Sequence, residues 1–195
     1  RALTPIAAPQ LVLPDSRYLN TASAAQYVGT ARCSQCHADQ HATFLASAHS
    51  RSMCRVDPAS EPPDGVYDHA VSGRRYRSKR NEDGLYHQEA LLGPAGQELP
   101  LADERLAYLV GSGRFSRTYL VEDDGFFVES PLTWYASLNA WAMSPGYDHP
   151  HHQSFHRTIT QDCLFCHAGQ SEPLAGSDRL RIRETAISCE RCHGP

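Results

Sequence analysis

Cys33-Ser34-Gln35-Cys36-His37, Cys163-Leu164-Phe165-Cys166-His167 and Cys189-Glu190-Arg191-Cys192-His193 are three copies of one pattern, C-x-x-C-H. The pattern is the covalent attachment site of c-type haem. Its spacing follows from the chemistry. Two thiols about one helical turn apart reach the two vinyl groups of one porphyrin, and the next residue sets an imidazole nitrogen against the iron. Zinc is the competing reading, because Cys163/Cys166 and Cys189/Cys192 approximate a ribbon. A ribbon does not call for His directly after each second Cys, and thiol redox chemistry does not explain three copies. The six cysteines are therefore assigned to three haem c groups, with His37, His167 and His193 as proximal iron ligands.

Working outward, the chain has 195 residues, 7 Cys and 11 His, and only Lys79 is a lysine among 18 basic residues. An odd cysteine count rules out a fully paired disulfide framework within the chain. The leftover is Cys54, read as a buried thiol or as a crosslink between chains. The balance of 41% hydrophobic and 21% charged residues is ordinary for a globular domain. No apolar run approaches the ~18 residues of a membrane span. A formal net charge of -4 argues against nucleic acid as main partner, since phosphate binding needs a basic face. The chain opens on Arg1 with no charged-then-apolar leader and stops two residues after His193. A processed or partial chain is expected, with natural sequence continuing past Pro195.

The chemistry-bearing motifs divide the chain. Residues 1–25 carry Pro5, Pro9 and Pro14 and read as an extended N-terminal arm, in which Leu11, Val12, Leu13 and Tyr18 could be buried. Residues 26–60 form a first haem segment. Thr30 is a candidate cap for one helix to about Ser52, with His37, His41, Phe44, Leu45 and Ala48 on one face. Residues 61–145 change to strand composition, with turn signals at Glu82-Asp83-Gly84, Gly93-Pro94-Ala95-Gly96 and Asp123-Asp124-Gly125. Residues 146–195 form the second and third haem segment. The expected fold is a multihaem cytochrome c: few short helices and much coil around three haems, with an antiparallel β insert between the first and second sites. Much of its core would be porphyrin.

Three stretches narrow the reading. They are Tyr27-Val28-Gly29-Thr30-Ala31-Arg32-Cys33 with the helix to Ala48-His49-Ser50, then Trp141-Ala142-Met143-Ser144-Pro145-Gly146-Tyr147-Asp148, and the closing Cys192-His193-Gly194-Pro195. With the three motifs, residues 27–195 resemble multihaem c-type cytochromes, and more narrowly the tetrahaem cytochrome c family that accepts electrons from hydroxylamine oxidoreductase. The resemblance implies cross-ligation between segments. It also implies haem attachment outside the cytoplasmic membrane, hence a periplasmic or extracellular protein after removal of a signal peptide. Members of that family often continue past C-H-G-P with further ligands, and this chain departs from them there.

Eight histidines remain for three second axial positions. His41 lies i+4 from His37 on the same helix face, so it cannot reach the opposite side of the first iron. His49 would lie about 18 Å along a continuous helix at ~1.5 Å per residue, and so suits another haem. The family phrase ends on His49, and a strand His comparable to His69 recurs in relatives. His152 and His156 precede the second motif and complete the set of candidate distal ligands. His87, His149 and His151 read as exposed or structurally satisfied. Met53 and Met143 read as core, although a Met ligand would raise a haem's potential. A ligand from beyond Pro195 or from another molecule stays open.

The leading expectation is electron transfer through three mostly bis-His haems. The alternatives are an oxidoreductase with one open-coordination haem, or a fragment of a longer multihaem enzyme. No C-x-x-C-K motif and no acid/base constellation accompanies the haem motifs. A polymer of subunits forming a conductive extracellular filament is a further reading, motivated by the arm, the open ligand and Cys54. Ferric haems with ionised propionates would take the charge to about -7, and reduction to about -10, so basic surfaces are the expected redox partners.

Overall fold

The computed structural model describes residues 17–22 and 24–195. The proline-bearing stretch expected to form the arm, with Leu11, Val12 and Leu13, lies outside the described residues. In chain order the helices are α1 (Thr30–Cys33), α2 (Ala38–Ala46), α3 (Gln161–His167) and α4 (Cys189–His193). The strands are β1 (Met53–Arg55), β2 (Gly65–His69), β3 (Arg74–Asn81), β4 (Gly84–Leu92), β5 (Glu98–Val110), β6 (Ser116–Asp123), β7 (Phe126–Glu129), β8 (Leu132–Tyr135), β9 (Ala140–Met143), β10 (Gln170–Pro173) and β11 (Leu180–Glu184).

Strands take 38% of the structure and helices 21%. This overturns the expectation of short helices and coil wrapped around three haems with a β insert. Among the described residues nine strands form one antiparallel sheet in the order β2-β3-β4-β5-β6-β8-β9, with β1 on β5 and β7 on β6. The sheet is the body of the molecule. Its helices are short and lie outside it.

Alternation explains the strands. On β4 Leu85, His87 and Glu89 point inward, and on β3 Tyr76 and Ser78 do the same, while Arg75 and Arg77 face Glu98 outside. The β6–β7 hairpin turns at Asp124 (φ 46) and Gly125 (φ 84), the two left-handed residues that a tight hairpin turn requires. Strand β5 is long enough to serve two neighbours. Its first half pairs with β4, and past an irregularity at Leu106/Tyr108 its second half pairs with β6 and β1. That bend curls the sheet until β9 lies against β2. There the Trp141 indole donates to the Pro63 carbonyl at 3.0 Å. The result is a nearly closed, barrel-like sheet.

Two cores follow from the curl. Inside it, Tyr76, Leu85, Tyr119, Leu132, Trp141 and Met143 pack with Tyr147 and Phe155. On the outer face, Met53, Tyr108, Leu120 and Phe127 pack against Leu164 and Ala168 of the α3 segment and against Leu180 of β11. Leu164 is buried, so α3 is pinned to the sheet by a residue between its two cysteines. The porphyrin-filled core expected from the sequence is replaced by apolar side chains.

Candidate functional site

The first motif does not lie on one helix. Helix α1 ends at Cys33, His37 takes a non-helical conformation (φ -119, ψ 50), and α2 starts at Ala38. Gly29, not Thr30, occupies the N-cap position, with φ 84. The amides at this turn are satisfied from far along the chain. Glu190 accepts from Val28 N at 2.8 Å and Gly29 N at 2.7 Å, and Glu184 accepts from Thr30 N at 3.1 Å.

Helix α2 ends at Ala46, Ser47 is extended, and a 3-10 turn follows over His49–Arg51. The continuous helix to Ser52 is therefore corrected, and with it the 18 Å separation of His49 from the first motif. The reversal brings His49 into one cavity with His37, His41 and His193.

That cavity has a volume of about 620 Å³. Val28, Phe44 and Ile187 give it apolar walls, and Cys33, Cys189 and Cys192 open onto it. The Cys33 thiol faces the Gly29 carbonyl at 3.8 Å, and burial, then the charges of Cys189 and Glu190, raise its pKa. Ser188 lines the same cavity, and its Oγ is buried with no partner among the described residues. The first and third motifs thus share a site.

The second motif lines another cavity, of about 410 Å³, between α3 and the outer face of the sheet. Cys163, Cys166 and His167 face Val110, Leu120 and Ile159 across it. Glu129 also lines it. Burial raises the Glu129 pKa, and the Arg157 guanidinium at 3.0 Å opposes that rise. Ser52 ties this motif to the third: its hydroxyl donates to the His167 carbonyl at 3.0 Å and accepts from Ile187 N at 2.9 Å. Arg191 stacks on the Phe165 ring at 3.5 Å and donates to the Phe165 carbonyl at 2.5 Å.

The remaining distal candidates are elsewhere. His69 and His152 are both buried, with rings 5.6 Å apart. Each has both ring nitrogens engaged. His69 bonds Ser72 Oγ at 2.8 Å and Asp148 Oδ1 at 3.1 Å, and His152 bonds Tyr76 OH at 3.0 Å and Ser154 N at 3.1 Å. Neither lines a motif-bearing cavity. His156 is exposed in a 3-10 turn before α3. His87 is fully buried beside Tyr119 and Trp141, bonded to Ser130 Oγ at 2.7 Å. Met53 and Met143 are core.

The donor set fits a c-type haem. All seven cysteines are free thiols, and five of the six motif cysteines, all but Cys36, line mainly apolar cavities beside imidazoles. Such a site asks the chain for two thiols and one or two imidazoles. Among the described residues no group of three or more His, Cys, Asp or Glu converges as a bare-metal site. Sequence reasoning missed Glu184, Glu190, Arg191 and Glu129. Two of them occupy the unspecified positions of a motif, and all act across long sequence separations that leave no local signal.

No curated protein and no solved structure matches the chain. Residues 135–194 match the model of the family described as cytochrome c554 and c-prime. The matched stretch runs from the end of β8 through the second and third motifs and leaves out the first. Over that stretch, about a third of the chain, the sequence is similar to a family of c-type cytochromes, a likeness that fits haem c binding and electron transfer in general.

Proposed function

We propose that the chain is an electron carrier holding three haem c groups, one on each C-x-x-C-H motif, and that it works in the periplasm or outside the cell. The observation that carries this reading is the grouping of five of the six free motif thiols, with His37, His167 and His193, at two mainly apolar cavities whose motifs are linked by the Arg191–Phe165 contact. Bound haem supplies a one-electron iron couple whose potential the protein tunes through axial ligand, burial and hydrogen bonds. The chain's own residues divide that work. The cysteines anchor, His37, His167 and His193 ligate on the proximal side, and His49 is the distal candidate that lines a motif-bearing cavity.

Expression with a c-type haem maturation system tests the reading. Pyridine haemochrome analysis should give three haems per chain, and the resting spectrum should be largely low-spin. His49→Ala should keep the haem count and convert one haem to a high-spin, CO-binding form. Bound zinc in place of haem would refute the reading. Full haem loading with rapid turnover of nitrite or hydroxylamine would replace the carrier by a reductase.

A further inference from the structure

The two unspecified residues of the third motif reach in opposite directions. Glu190 is 6% exposed, and its two carboxylate oxygens accept from the Val28 and Gly29 amides that open the first motif. Arg191, the next residue, stacks on and donates to Phe165, which lies inside the second motif. We infer that Glu190 and Arg191 are positioning residues that hold the third motif between the first and the second, so that a haem bound there would lie between the other two. The inference rests on the three-haem reading above.

The physical case is strongest at Glu190. A carboxylate that takes two amide N–H groups makes charge-assisted hydrogen bonds, the stronger kind, and its burial protects them from water. It fixes α1, which carries Cys33, against α4, which carries Cys189. A glutamine would keep one acceptor and turn an NH2 donor towards an amide N–H. Arg191 fixes the other side. Its guanidinium carbon sits over the Phe165 ring, 3.5 Å from the centroid, and a lysine ammonium does not reproduce such a planar cation–π partner. Electronic coupling between porphyrins falls steeply with edge separation and depends on orientation. Residues that lock one motif against the next therefore set it.

The test uses the full haem-loaded chain and reads the exciton couplet in the Soret circular dichroism, with haem counted on the same samples. Glu190→Gln should keep three haems and shrink the couplet about twofold or more, the loss expected when a buried two-point clamp is broken. Glu190→Asp, which keeps both oxygens on a shorter stem, should fall between. Replacing Cys189 and Cys192 by Ala should leave two haems and no couplet, because the middle member is gone. In a chain with Cys33 and Cys36 replaced by Ala, Arg191→Ala should shrink the couplet that remains. Full haem content with an unchanged couplet in Glu190→Gln and Arg191→Ala would overturn the inference. So would a strong couplet between the first and second haems alone. A wild-type chain that attaches no haem would instead refute the proposed function.

Discussion

His87 sits where a charge costs most. It is fully buried in the inner core, edge-on to Tyr119 and Trp141, with Nδ1 on Ser130 and Nε2 without a partner among the described residues. Burial pulls its pKa from an ordinary 6.5 down to about 3. The unfolded chain takes up a proton as pH falls below 6.5, whereas the folded chain refuses it until about pH 3. The neutral imidazole therefore contributes its full stability above 6.5 and loses about 1.4 kcal/mol for each pH unit below it. His152, also depressed by burial, adds to the same trend. Denaturant melts between pH 7 and pH 4.5 should show this slope in wild type and a clearly shallower one in His87→Leu. An equal slope in the variant would place the acid sensitivity elsewhere. The sequence reading had His87 exposed or satisfied, and nothing local announced its depth. That depth comes from the curl of the sheet.

Among the elements, the closure between β2 and β9 is the most specific contact. A Cβ on Gly65 would stand 2.5 Å from Trp141 Cδ1. The indole cannot retreat, since it is held by Pro63 O and packed against Trp134, Tyr119 and His87. Gly65→Ala should cost about 1–3 kcal/mol by overpacking. At about 2–4 °C per kcal/mol for a chain of this size, a thermal melt resolves it. The double variant Gly65→Ala with Trp141→Phe should recover part of the loss, and no recovery would deny the contact. This closure joins segments 76 residues apart, and no periodicity records such a pairing. Local signals were legible: strand composition and the Asp124-Gly125 turn lie where β6 and β7 meet. The first haem helix was misread for a physical reason. No Gly or Pro between Ser34 and His37 marks the break, and the amides at its start are satisfied by Glu190 and Glu184 from the far end of the chain.

For the whole molecule, the source of stability decides what haem does. Three attachment motifs suggested a chain held together by porphyrin. Instead two apolar clusters, one inside the curled sheet and one under α3, are built from side chains of the strands. The motif helices contribute little beyond Leu164 to either cluster, and the six motif cysteines contribute to neither. Covalent haem would therefore stabilise the α1, α2 and α4 region locally, where elements are short and cavities open, and leave the sheet unaffected. A chain with all six motif cysteines replaced by Ala should keep its β-type far-ultraviolet spectrum. It should also melt cooperatively, with core-strand amides protected in hydrogen exchange. Protection should fall mainly at residues 28–51 and 187–194, which surround the larger cavity. A haem-free chain lacking β structure would mean that attachment precedes and drives folding. A haem-free chain with an intact sheet would make the barrel a preformed scaffold that presents three thiol pairs to the attachment machinery.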